Sequence, residues 1–131
     1  MEQNEKTKAL LAAFGCALAY LLAGKALAVI LPQVPEEAAR MWAFVHRCIA
    51  APIVEELVFR GIIQQLARPL GERRAVALQA VLFAVQHRGP AGMAYALVCG
   101  LVLGTLRSRT GSVWPGMLLH TLNNLLVFAA G

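Results

Sequence analysis

Apolar residues run almost without interruption from Leu10 to Leu31, as "LLAAFGCALAYLLAGKALAVIL", a stretch of about 22 residues that suits a membrane span. Lys25 lies near the end of this run, where its long side chain can snorkel to the interface. Pro32 and Pro35 end the span. "PEEAAR" then reads as a helix start, with Pro35 first and Glu36 and Glu37 in the first turn. A helical pattern continues to about Leu66, interrupted by Pro52, which predicts a kink or a split. Arg68-Pro69-Leu70-Gly71 is a break. "RRAVALQAVLFAVQH" predicts a shorter apolar helix, closed by Arg88-Gly89-Pro90. "AGMAYALVCGLVLGTLRSRTG" predicts another span, in which Gly92, Gly100 and Gly104 allow close helix approach. After a turn at Gly111, "SVWPGMLLHTLNNLLVFAA" predicts the last helix, with Pro115 in its first turn. No strand-like alternation and no repeat is present. The pattern predicts an all-α fold, a polytopic membrane bundle of about five helices. The third is short for a full span of about 20 residues, so it is tilted or ends inside the protein.

Composition strengthens this picture. The chain has 131 residues, 59% of them hydrophobic, and a mean hydropathy of +0.63. Soluble domains are about 45–50% apolar. The length predicts a single integral-membrane domain over residues 1–131, with a first span at 10–31 and a core at 36–131. The first apolar run is longer than the core of a signal peptide, so it reads as a retained helix. The net charge of +5 comes from basic residues between the apolar runs. That distribution orients a membrane protein and gives no reason to expect a nucleic-acid partner. Lys6, Lys8, Arg68, Arg73, Arg74, Arg107 and Arg109 fall on one face; Arg40 and Arg88, with Glu36 and Glu37, fall on the other. The expectation is a multi-pass protein of the inner (cytoplasmic) membrane, N-terminus in the cytoplasm and C-terminus outside. Cys16, Cys48 and Cys99 all lie in apolar runs, and an odd number predicts buried small residues instead of a disulfide framework. Trp42 and Trp114 read as interface anchors and His46 as an interfacial group. Gln79 and Thr105 read as interhelical hydrogen-bonders.

Polar groups inside such a chain are costly and point to function. The most conspicuous are in "APIVEELVFRGIIQQL", residues 51–66. Adjacent helical positions lie about 100° apart, so Glu55 and Glu56 cannot share one environment. Glu56 and Arg60 stand at i,i+4 and can pair. Glu55 is left without a local cation, which suits a general acid or base. The three could equally form a structural ion-pair network. His87 lies near a helix end, where a cap or surface role is the plainer reading. His120 and Asn124 share one face of the last helix, and both can bond a carbonyl oxygen, an oxyanion or a metal-bound water; interhelical hydrogen bonding is the alternative. Asn123 points elsewhere and reads as interhelical glue or a loop contact. By helix rise, Glu55, His87 and the His120–Asn124 pair reach overlapping depths from three helices.

These residues resemble a known family. "EELVFRG" resembles the EExxxR signature of the CPBP family, the CAAX proteases and bacteriocin-processing enzymes, also called Abi. "FAVQH" is similar to its FxxxH motif through Phe83 and His87, and "HTLNN" to its HxxxN motif through His120 and Asn124. The three occur in the family's order between Val54 and Asn124. The resemblance implies an intramembrane endopeptidase with a central polar catalytic cavity. It implies that Glu55 activates water, that His87, His120 and Asn124 line the cavity, and that Glu56, Arg60 and Phe83 shape it. Such enzymes have been described both as metalloproteases and as glutamic proteases. Glu55, His87 and His120 could ligate zinc, but Glu55 as ligand would leave only Glu56 as base, and Arg60 occupies Glu56. The expectation is therefore a glutamic-type protease with no metal or other cofactor, His and Asn stabilising the oxyanion.

Only one span precedes the motif helix, fewer than is usual in the family. That favours a membrane-associated protein or peptide, such as a C-terminal anchor, over a prenylated CAAX substrate. Two other readings use the same features. A non-catalytic adaptor or bacteriocin-immunity-type protein could keep the fold, although every motif position is filled. A transporter also uses intramembrane Glu and His, but more often shows an internal repeat.

Overall fold

The computed structural model describes residues 2–30 and 33–131, and among them there are five helices and no strand. Helix α1 is Glu2–Ile30. Helix α2 runs continuously over residues 36–66. A 3-10 turn at Arg68–Leu70 leads through Gly71, at φ 100°, into α3, Glu72–Ala84. Helix α4 is Gly89–Thr110 and α5 is Trp114–Ala130. Gly111 closes α4 in the left-handed conformation, its N–H donating to the Arg107 carbonyl, the reason a glycine suits that turn. The predicted end of the first run at Leu31 and Pro32 lies outside the described residues.

Pro52 neither breaks nor splits α2. The helix widens into π turns at His46–Ala50, just before the proline, and again at Glu56–Ile63. A π turn has an i→i+5 hydrogen-bond register, so it admits one extra residue and re-aims the side chains beyond it. Such bulges recur at functional sites.

The packing of α1 is inverted relative to a helix of a soluble protein. Ala9, Ala13 and Ala17 form the buried stripe of α1, while Leu11, Phe14, Leu18 and Leu22 are exposed. Small residues inside and large apolar residues outside are what helices need to approach one another in lipid. Helices α1 and α4 are long and apolar enough to cross a membrane, and the exposed Trp42 and Trp114 suit interface positions. At 13 residues, α3 reaches only about 20 Å, short of a hydrocarbon core of about 30 Å.

The most extensive contact is between α3 and α4. A Cβ on Gly100 would stand 2.9 Å from Ala80 Cα, so this crossing requires glycine. Gln79 reinforces it, its Nε2 donating 2.7 Å to the Gly100 carbonyl. Two expectations fail here. Gly92 has no neighbour within 4 Å of its would-be Cβ. Thr105 bonds the Leu101 carbonyl of its own helix, because its hydroxyl lies within reach of the preceding turn. Phe59, Ile63, Leu82 and Phe83 form the core with Ala13 and Ala17, tied by edge-to-face contacts from Tyr20 to Phe59 and from Phe59 to Phe83. Helix α1 covers the second π segment of α2, while α5 covers the first π segment and the turn carrying Glu55.

Candidate active site

Glu55 and Glu56 meet where the second π turn of α2 begins, and as adjacent helical positions they point in different directions. Glu56 is fully buried and its Oε1 lies 3.1 Å from an Arg60 guanidinium nitrogen, also fully buried. The predicted i,i+4 pair is therefore present. The Arg60 guanidinium also stacks on the Phe83 ring, 4.4 Å from its centroid, a cation–π contact that offsets part of its desolvation. Glu55 is mostly buried but opens toward a cavity of about 780 Å³, whose walls include Phe83, His87, His120, Asn123 and Asn124.

His120 stands between the carboxylates. Its Nδ1 donates to Glu56 Oε1 at 2.9 Å, and its Nε2 faces Glu55 Oε2 at 3.5 Å. The Glu56–Arg60 pair thus holds the imidazole from behind and presents its other nitrogen to Glu55. His87 is placed by the turn that follows α3, not by the helix itself, which ends at Ala84. Its Nδ1 lies 3.0 Å from the Phe83 carbonyl. A carbonyl only accepts, so Nδ1 is the donor in this bond. Phe83 contacts both histidine rings edge-on, at 4.7 Å to His87 and 5.9 Å to His120. One phenyl ring thereby spaces the two histidines and shields Arg60.

Asn124 lines the same cavity, with its Nδ2 donating 2.8 Å to the Arg47 carbonyl. Asn123 also lines the cavity, contrary to expectation, but its role as interhelical glue is as expected, since it accepts a hydrogen bond from the Tyr95 hydroxyl of α4. Exposed His46 forms part of the wall, as does half-buried Cys99. All three cysteines are free, and only Cys48 is fully buried.

Gly116 is a site residue that the sequence reading passed over. A Cβ there would stand 2.7 Å from Glu56 Oε2. Glycine one helical turn before His120 makes room for the carboxylate that His120 bonds. The spacing Gly116-x-x-x-His120 was the available signal, since i and i+4 share a face. Gln64 was also missed. It is buried one turn beyond Arg60 and donates to the Gly104 carbonyl at 3.0 Å and to Ser108 Oγ at 2.9 Å.

Among the described residues, no three His, Cys, Asp or Glu side chains converge as a metal-ligand set. Both His120 nitrogens face carboxylates, so ligation through either would draw it away from a present partner. His87 Nε2 is the free imidazole donor in the group.

An all-helical chain with long apolar helices, a buried ion pair and a carboxylate–histidine cavity is a membrane protein built around a polar interior site. More specifically, the chain belongs to the Rce1-like family, the type II CAAX prenyl endopeptidases, whose sequence profile matches residues 37–126. The matched segment contains all three motifs, in agreement with the CPBP resemblance. The family is one of CAAX-type membrane endopeptidases. No curated protein and no solved structure matches the chain.

Proposed function

We propose that this protein is a glutamic-type intramembrane endopeptidase that hydrolyses a peptide bond of a membrane-anchored protein or peptide. The observation that carries the reading is the convergence of Glu55, His87 and His120, from three separate segments, on one cavity. Glu55 takes a proton from water. The resulting hydroxide attacks the scissile carbonyl. Glu55 then returns the proton to the leaving nitrogen as the carbon–nitrogen bond breaks. Neutral His87, with Nδ1–H on the Phe83 carbonyl, offers Nε2 as an acceptor that holds the attacking water. His120 as imidazolium donates Nδ1–H to Glu56 and turns Nε2–H toward Glu55 and the developing oxyanion. In that state Glu55, Glu56, Arg60 and His120 sum to zero charge, which limits the cost of burying them.

The reading includes a polytopic bundle in the inner membrane, N-terminus in the cytoplasm and C-terminus outside, supported by the two long apolar helices and the distribution of basic residues. It assigns no metal to the reaction, supported by the commitment of both His120 nitrogens to carboxylates. The test is cleavage of a quenched-fluorescence, farnesylated peptide with a C-terminal CAAX sequence, and of its unprenylated counterpart, by purified protein in detergent. Glu55→Gln is expected to lower the rate about 100- to 10,000-fold with an unchanged unfolding temperature. Cleavage by that variant at the wild-type rate removes Glu55 as the base.

A further inference from the structure

The first π segment of α2 leaves one carbonyl without a backbone partner. At the end of His46–Ala50, the Ala51 N–H donates to the His46 carbonyl, five residues back. In that register the Arg47 carbonyl would next receive the N–H of residue 52. Residue 52 is proline and has none. The four-residue alternative, Ala51, is already committed to His46. The crossing is not buried, and where lipid replaces water an unpaired acceptor is costly. The missing donor comes from another helix: Asn124 Nδ2 reaches the Arg47 carbonyl at 2.8 Å. Cys48 Sγ approaches the Asn124 carbonyl at 3.7 Å, a second tie at the same crossing.

This tie joins the two helices whose separation matters. Glu55 lies less than one turn beyond Pro52 on α2, and His120 lies one turn before Asn124 on α5. We infer that Asn124 is a positioning residue, whose amide supplies the hydrogen bond that Pro52 withholds from Arg47 and thereby holds Glu55 at its distance from His120. The inference rests on the endopeptidase reading for its catalytic consequence, but not for the hydrogen bond itself. It differs from an oxyanion role, in which the amide faces substrate and the identity of residue 52 is immaterial.

A double-mutant cycle separates the two roles, because coupled residues depart from additivity. Asn124→Leu keeps the size of the side chain and removes the donor. Pro52→Ala restores an N–H that can reach the Arg47 carbonyl in the same register. Unfolding temperature in detergent and kcat on the farnesylated CAAX peptide are measured for both single variants and the double variant. Asn124→Leu alone is expected to lower the unfolding temperature and to reduce kcat about 100-fold, the effect of a misplacement of about 1 Å. In the Pro52→Ala background both losses shrink, the kcat loss to about twofold, the scatter of independent sites. Should Pro52→Ala fail to fold, Asn124→Gln, which keeps the donor, is expected to retain more activity than Asn124→Leu at equal expression. Coupling in stability with no cleavage by any variant, wild type included, supports the tie and refutes the endopeptidase reading. Equal kcat losses in both backgrounds with an unchanged unfolding temperature, or no advantage of Gln over Leu, overturn the inference.

Discussion

Glu55 and Glu56 are neighbours in the chain and belong to two different regions of the molecule. Glu56 looks into a sealed interior, where neither it nor Arg60 has any exposed surface. Around them Phe83 stacks on the guanidinium and Gly116 leaves just enough room for the carboxylate. Glu55 looks into an open cavity with 19% of its side-chain surface exposed, and His120 Nε2 faces it at 3.5 Å. The sealed region is filled by the ion pair and its packing, whereas the open one has the volume to admit a substrate. His120 connects them, bonded to the first and facing the second. An ionised group held by a fixed partner is poorly placed to exchange protons, whereas a carboxylate at a cavity wall can meet water. Identical chemical groups thus acquire different work from their surroundings.

The comparison breaks most sharply on removal of Arg60. Arg60→Ala strands Glu56 in the sealed region, and breaking a buried pair costs about 3–5 kcal/mol. Chemical denaturation in detergent checks it; an unchanged midpoint would mean that the pair is hydrated in solution. The matched Glu55→Gln variant is expected to move that midpoint little while lowering the cleavage rate about 100- to 10,000-fold. The two substitutions therefore separate stability from chemistry.

His120→Gln tests the connection between the regions. Glutamine keeps a donor but cannot bond both carboxylates, and the loss of one oxyanion donor costs about 100- to 1,000-fold in rate. Residual cleavage that resists a chelator is the expected outcome. Stoichiometric zinc that is lost and restored together with activity would replace the glutamic mechanism with a metal-assisted one and leave the protease reading in place.

The smallest expected effect is at Gly116. In Gly116→Ala the new Cβ meets Glu56 Oε2 at 2.7 Å, and overpacking of this kind costs about 1–3 kcal/mol. Displacing the carboxylate disturbs its bond to His120, so kcat should fall more than thermal stability alone explains. A variant with full activity and unaltered stability would show that Glu56 has slack, and that the sealed region is less rigid than its packing indicates.

Much of this was legible along the chain. Helix periodicity and the Pro and Gly punctuation located all five helices. The i,i+4 spacing of Glu56 and Arg60 was enough to pair them, because both partners sit on one helix and their relation is local. His87, His120 and Asn124 could be grouped with Glu55 by depth and by motif. Thr105 and Gln79 show the limit. Both are polar residues on apolar helices, yet only Gln79 reaches across to a neighbour. The choice depends on which face α4 turns to α3, and that is set by the glycine contact at Gly100.

Three features required the assembled structure. Pro52 predicted a disturbance in α2, but whether the helix kinks or widens depends on the partners available, and one of them is Asn124, 77 residues from the Arg47 carbonyl that it bonds. The placement of His120 between two carboxylates depends on the rotation of α5 about its own axis, which Gly116 permits by admitting Glu56. Phe83 could be named from its motif, but its position between two histidines and a guanidinium comes from the crossing of α2, α3 and α5. The sequence by itself determined which elements form and which polar residues enter the apolar interior, because backbone hydrogen bonding and hydrophobic periodicity act within one element. Only the tertiary structure decided which nitrogen meets which carboxylate, because rotation and crossing of packed helices follow from contacts between residues distant in the chain.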